Sequence, residues 1–186
     1  MNVIKVIACS VLMLVLSGCV SHYTKVSDDV APPYAAKTPV SFKVYDRVRM
    51  SGDGPKAVVS TLKQHEFFRE AVQSYDIGIS SNGTFVEVTP LYREPSFMAM
   101  LFGYFSLSTL TILPAISDED GFDLRFEVYR EGKMVFSREY ETRRFMVLWA
   151  GTLPFLWANW LTASEEDAFA AVTQQFLMDA QAVLVK

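Results

Sequence analysis

The chain is poor in the residues and motifs that build catalytic and metal sites. Its 186 residues include two histidines, His22 and His65, which are not at the spacing of a zinc site. A nucleophile elbow, a phosphate-binding loop and a dinucleotide fingerprint are all missing. The formal net charge is −4, whereas phosphate binding needs a positive surface. We therefore expect no catalytic residues, no metal, no cofactor and no nucleic-acid partner.

An acidic segment is the nearest approach to a metal-binding motif. Asp118, Asp120, Gly121 and Asp123 are spaced loosely like a calcium loop. The more distant glutamate that such a loop requires at a fixed spacing is missing, because a strand pattern begins at once. We interpret the segment as a solvated turn.

The amino-terminal residues have the order of a bacterial export signal. An apolar run that begins at Val3 and contains Lys5 ends in Leu16-Ser17-Gly18-Cys19. The run is shorter than the ~20 apolar residues that span a bilayer, but it has the length and the small-residue exit of a signal peptide. The tetrapeptide resembles the lipobox of bacterial lipoproteins. The resemblance implies that residues 1–18 are removed and that Cys19 carries covalent lipid, including fatty acyl chains such as palmitate. An ordinary signal peptide with a nearby cysteine is the alternative.

Lipidation at Cys19 has consequences for stability and location. Cys9 lies in the leader, so the mature chain has no free thiol and no disulfide. In the lipoprotein family an aspartate after the lipidated cysteine commonly retains the protein in the inner membrane. The residue here is Val20, which implies the outer membrane, facing the periplasm, rather than the inner membrane. Two or three acyl chains would anchor the protein almost permanently.

The remaining chain is interpreted as a tether followed by one domain. Residues 19–39, with the pair Pro32-Pro33 and little apolar periodicity, predict an extended, flexible tether. Residues 40–186 are long enough for a single domain with a real core.

The patterns predict an α+β domain with a mainly antiparallel sheet of two hairpins plus an N-terminal strand, packed by two helices. This order is similar to that of small α+β domains in envelope lipoproteins, including auxiliary lipoproteins of transport systems. The predicted elements are a strand at Val40 to Val48, a helix from Pro55 to about Val72, a hairpin at Tyr75 to Leu91 around Asn82-Gly83, a hairpin at Phe122 to Tyr140, and a helix from Ala163 or Ser164 to about Val185.

The second hairpin and the last helix carry the sharpest local predictions. A three-residue loop of Arg130 to Gly132, with Gly132 left-handed, would place Phe126 opposite Phe136. Ser164 and Asp167 form a near-match to a capping box. The last helix has one apolar stripe that should pack on the sheet, with a docking face for another helix as the alternative. The stripe consists of Phe169, Val172, Phe176, Ala180 and Val183.

Two apolar segments, Pro95 to Ser117 and Phe145 to Ser164, contain no charged residue and flank the second hairpin. That hairpin should bring them together. Three interpretations are open: a transmembrane pair, buried parts of the core, and a membrane-facing or partner-facing apolar surface. For the third, the candidate contact residues are Trp149, Trp157, Trp160, Phe102 and Phe105. Arg143 and Arg144 lie beside the second segment, where they would meet lipid phosphates or form an exposed strand end.

The sequence thus predicts a non-catalytic cell-envelope lipoprotein at the periplasmic face of the outer membrane. It would act through membrane lipids, by way of acylated Cys19, and through an envelope protein partner. The alternative is a membrane-embedded or transport-associated auxiliary subunit that uses segments 95–117 and 145–164.

Overall fold

The structure, a computed structural model, describes residues 19–23, 38–45, 53–74 and 83–184 and has an α+β fold. In chain order its elements are β1 Cys19–Tyr23, β2 Thr38–Val44, α1 Gly54–Gln64, β3 Phe68–Gln73, β4 Thr84–Arg93, α2 Phe97–Ser108, β5 Ala115–Ser117, β6 Gly121–Arg130, β7 Lys133–Leu148, a 3₁₀ helix Ala150–Leu161, α3 Glu165–Asp179 and α4 Gln181–Leu184.

The described residues fall into two compact units. We call 38–45, 53–74, 83–92, 122–142 and 164–184 the core unit. We call 19–23, 93–121 and 143–163 the apolar unit.

The sheet of the core unit is mixed. Its strand order is β7-β6-β4-β2-β3, and β2 runs parallel to both β3 and β4. Val40 of β2 is the register partner of Ala71 on one side and of Thr84 on the other. The predicted α+β fold is confirmed, but the sheet is mixed and not purely antiparallel, because β2, α1 and β3 form a parallel crossover unit.

Only the second strand of the first predicted hairpin lies within the described residues. It is observed as β4, which lies between β2 and β6. Residues 75–82, which include Asn82, lie outside the described residues. Gly83 has a φ of 81°, as the predicted turn required.

The first predicted helix is shorter than expected. Pro55 lies in its first turn, and Ala57, Val58 and Leu62 are buried. The helix ends at Gln64 because His65 is extended, and the residues predicted to continue it form β3 instead. The first predicted strand, Val40 to Val48, is observed as Thr38–Val44, and residues 46–48 lie outside the described residues.

The second hairpin is present, but its turn differs from the prediction. Glu131 and Gly132 form the turn, with φ values of 50° and 74°, while Arg130 still belongs to β6. Gly132 is left-handed as expected, whereas the three-residue loop was wrong. The ring of Tyr140 packs edge-on against Phe126, with 5.7 Å between the ring centroids.

The last helix confirms its predicted start and its apolar stripe. Ser164 and Asp167 form a complete capping box, in which each accepts a hydrogen bond from the other's backbone amide. Phe176 stacks on Phe126 of the sheet, and Phe169 contacts Phe122 edge-on. The alternative role of the stripe as a docking face was therefore wrong, since the sheet covers it. The helix divides at Ala180 into α3 and α4.

The first residues of the predicted tether form a strand. β1 pairs antiparallel with the last residues of β7, and Cys19 is the partner of Leu148. β5 also pairs antiparallel with this part of β7, and Ala115 is a partner of Leu148. Residues 24–37 of the predicted tether lie outside the described residues.

Candidate functional site

In the apolar unit most large apolar side chains are exposed and several polar side chains are buried, which is the reverse of the usual arrangement in water. Among the side chains that the structure describes in this unit, Ala115 is the only buried apolar one. Its buried polar side chains are Ser106, Thr111, Ser117 and Asp120. We define the apolar surface as the exposed large side chains of this unit: Phe97, Met98, Met100, Phe102, Tyr104, Phe105, Leu107, Leu110, Ile112, Leu113, Ile116, Phe145, Trp149, Trp157, Trp160 and Leu161.

The contrast with the core unit is sharp. Over the described chain, the exposed large apolar side chains outside the apolar surface are Val72, Tyr92, Met134 and Val135. The interpretation of the two uncharged segments as buried core was therefore wrong for most of their large side chains. Among the described residues, no helix combines the length and the apolar character that a membrane crossing requires.

Helix α2 supplies the largest part of the apolar surface. It begins at Ser96, whose side chain accepts a hydrogen bond from the amide of Ala99 at 3.3 Å. Ser106 is its single buried residue, at 0 % exposure. The candidates Phe102 and Phe105 are exposed. A helix in water normally turns its apolar side chains inward, and α2 turns them outward.

Hydrogen bonds join the two uncharged segments, as the hairpin predicted. The hydroxyl of Ser106 donates to the carbonyl of Leu148 at 3.4 Å. The amide of Ala150 donates to the carbonyl of Thr111 at 2.8 Å. The two segments therefore form one structural site.

The end of α2 exposes a leucine at a conformational cost. Thr111 donates its amide to the carbonyl of Ser106 at 2.7 Å, and Leu110 donates to Leu107 at 3.0 Å. This pair of bonds is a Schellman motif, whose left-handed position favours glycine. Leu110 occupies that position with a φ of 55°, and Thr111 follows with 62°. Sequence patterns did not reveal this strained pair.

The three tryptophans of the chain all lie in the apolar unit, between residues 149 and 160. The indole of Trp149 donates to the carbonyl of Ile112 at 3.0 Å, and its ring lies against Gly151, where an added Cβ would come within 2.6 Å of three ring atoms. Trp157 is exposed, and Trp160 is 89 % exposed. The candidate tryptophans thus belong to one surface, with Trp149 fixed by a hydrogen bond.

Cys19 lies beside this surface. Its register partner, Leu148, immediately precedes Trp149, and β1 packs against the 3₁₀ helix that contains Trp157 and Trp160. A lipid on Cys19 would therefore start opposite the residue that precedes Trp149.

Part of the acidic segment that was predicted to be a solvated turn is buried in an ion pair. Asp120 has a side chain that is only 2 % exposed, and Arg144 donates to its carboxylate through Nε at 3.2 Å and also through Nη2. The backbone amide of Arg144 donates to the carbonyl of Asp120 at 2.8 Å. Arg144 is thus held by Asp120, which corrects its interpretation as a residue that meets lipid phosphates or lies at an exposed strand end.

Within the described residues, no group of three His, Cys, Asp or Glu side chains is placed to hold a metal ion.

Comparisons with known proteins add little to this geometry. No family model matches the chain, and no curated protein does. Among solved structures, the chain is similar to a PelC dodecamer from Paraburkholderia phytofirmans, with 11 % identity, 88 % of this chain and 98 % of that chain covered, and a TM-score of 0.40. A variant of the same PelC dodecamer in a second crystal form gives 9 % identity, the same coverage and a TM-score of 0.39. We base no argument on a likeness of this size.

Proposed function

We propose that this chain is a non-catalytic cell-envelope lipoprotein, anchored by acylated Cys19 at the periplasmic face of the outer membrane. The observation that carries the proposal is the position of Cys19. It begins β1, which pairs with the end of β7 in the unit that carries the apolar surface. The lipobox resemblance supports Cys19 as the lipidated residue, and its strand pairing supports an anchor that begins within this unit.

The strand pairing argues that the anchor acts on the apolar unit directly. A flexible tether of about 20 residues could span up to ~70 Å. Cys19 instead pairs with Leu148, so its lipid begins within the unit. The protein would then act through lipid contacts of this unit and through protein contacts of its other surfaces.

Acylation and location test the proposal. Metabolic labelling with a palmitate analogue, followed by mass spectrometry of the mature amino terminus, should find the label on Cys19. The Cys19→Ser variant should lose the label. The matched control is Cys9→Ser, because Cys9 lies in the predicted leader and its loss should leave labelling unchanged.

Separation of inner and outer membranes on a sucrose gradient tests the location. The acylated protein should sediment with the outer membrane. Label that survives Cys19→Ser would refute the lipoprotein function, and sedimentation with the inner membrane would refute the location.

A further inference from the structure

We propose that the apolar surface is a second, non-covalent membrane-contact site, which inserts into the same leaflet as the acyl chains on Cys19. This inference rests on the proposed function, and it commits to a bilayer as the occupant. The ligand is the boundary between lipid headgroups and acyl chains, where apolar side chains and tryptophans are both stable.

The first argument is the energetics of the apolar unit. A unit in water is stabilised mainly by burial of apolar side chains, and Ala115 is the only such residue buried among its described side chains. Phe97, Leu161 and Trp160 are 72 %, 77 % and 89 % exposed. A concentration of exposed apolar side chains of this kind marks an interaction surface. An apolar environment would stabilise the unit in the arrangement that the structure shows.

The second argument is the place of the charges. Within the described part of the apolar unit, the Asp, Glu, Lys and Arg residues are Arg93, Glu94, Asp118, Glu119, Asp120, Arg143 and Arg144. The ion pair of Asp120 and Arg144 lies four residues along β7 from Leu148, which is a distance of about 13 Å at the rise of a strand. Interfacial segments insert by ~5–10 Å. The end of β7 and Trp149 can therefore enter a leaflet while this ion pair stays in water.

The third argument selects a bilayer over a protein partner. The proposed lipid on Cys19 starts opposite Leu148, one residue before Trp149. Acyl chains from that point must enter the leaflet beside the apolar surface. A protein partner would have to cover the surface at the place where lipid emerges, so the anchor favours lipid.

Vesicle binding without the anchor tests the inference. The mature chain, residues 19–186, is prepared with Cys19→Ser and floated with vesicles of phosphatidylethanolamine and phosphatidylglycerol. It should bind. The triple variant Phe97→Ser, Trp160→Ser and Leu161→Ser should bind at least about 100-fold more weakly, because each change removes a largely exposed apolar side chain.

A matched control separates position from hydropathy. Met134 and Val135 are also exposed apolar residues, but they lie in the core unit. The double variant Met134→Ser and Val135→Ser should float like the parent protein. Circular dichroism and cooperative thermal unfolding should show that all three proteins are folded.

Tryptophan fluorescence provides a measurement on the unaltered surface. All three tryptophans lie between residues 149 and 160, so the emission of the protein reports on the apolar unit alone. Vesicles that contain brominated acyl chains should quench this emission and shift it to the blue. Equal emission with brominated and ordinary vesicles would contradict insertion.

The remaining outcomes also decide the question. If the parent protein does not float, or if the triple variant and the control float equally, the inference is wrong. If sedimentation shows an oligomer that the triple variant disrupts, and no vesicle binding occurs, the surface is an interface between copies. Labelling of Cys19 is measured separately, so the inference can fail while the lipoprotein function stands.

Discussion

The substitution Leu110→Gly should weaken membrane binding with little change in stability. Leu110 lies in the left-handed region with a φ of 55°, and its side chain is 56 % exposed. A residue with a Cβ in this region costs ~1–2 kcal/mol, and glycine removes that cost. Glycine also gives the unfolded chain more conformational entropy, worth roughly 0.5–1 kcal/mol. The buried part of the Leu110 side chain is worth about 1 kcal/mol and is lost as well. These two costs offset the relief of strain, so the free energy of unfolding should change by less than about 1 kcal/mol.

The expected loss of membrane binding follows from the exposed fraction. Full burial of a leucine side chain is worth ~1.5–3 kcal/mol, so the exposed part of Leu110 contributes about 1.3 kcal/mol on insertion. That free energy corresponds to roughly a tenfold change in vesicle affinity. Chemical denaturation gives the first quantity, and titration of vesicles against the Cys19→Ser protein gives the second.

Glu131→Gly is the matched control for Leu110→Gly. Glu131 is also left-handed, with a φ of 50°, but it lies in the hairpin turn of the core unit. Its replacement should increase stability by about 0.5–1 kcal/mol, because the exposed Glu131 side chain has no buried part to lose, and should leave vesicle affinity unchanged. A stable Leu110→Gly protein with full vesicle affinity would refute insertion of this residue. A loss of stability on Glu131→Gly would refute the argument from backbone strain.

Three further predictions concern stability alone. Asp120→Ala should lower the free energy of unfolding by about 2–4 kcal/mol in urea denaturation, because Arg144 loses its buried partner; a loss below 0.5 kcal/mol, roughly that of a surface change, would contradict this. Phe176→Ala should cost about 3–5 kcal/mol by the same assay, and a much smaller loss would mean that its stacking contacts do not support the core. Burial lowers the pKa of His65 below its usual 6.5, and its Nδ1 accepts the amide of Phe67, so stability should fall as the pH drops below 6.5 through the folded-state pKa. His65→Asn should remove this part of the pH dependence, and an unchanged profile would exclude His65 as its source.

Local signals in the sequence predicted local structure well. The capping box at Ser164 and Asp167 depends on four consecutive residues, and the apolar stripe from Phe169 to Val183 on one helical period. Both are present because no distant strand competes for these residues. Gly132 was likewise left-handed, as its place in the hairpin required.

Pairings between distant segments could not be predicted in the same way. Phe67 and Phe68 fit an apolar helix face, but Phe68 begins a strand that runs parallel to β2. The pairing of Val40 with Thr84 joins residues far apart in the chain. Hydropathy fixes which residues prefer burial, whereas the choice of partner depends on the whole sheet.

The composition of the candidate site could be predicted from the sequence, but which of its side chains are buried could not. The uncharged segments are evident in the sequence, yet three interpretations were open for them. The decisive observations are the buried Ser106 and Asp120 among exposed apolar neighbours. Hydropathy ranks side chains by their preference for apolar surroundings, and it does not say whether protein or lipid supplies those surroundings.

The anchor and the apolar surface act together if both belong to one unit. A covalent lipid on Cys19 would hold the surface beside the leaflet, so that insertion becomes an intramolecular step at an effective concentration of order mM or higher. A surface too weak to bind vesicles tightly by itself would then still be inserted most of the time. Removal of the apolar side chains alone should leave the lipidated protein on the membrane but reduce insertion of its tryptophans. Removal of the lipid alone should weaken membrane retention, and removal of both should weaken it further. The pairing of Cys19 with Leu148 is what makes this coupling short-ranged, because it leaves no long flexible segment between the acyl chains and Trp149.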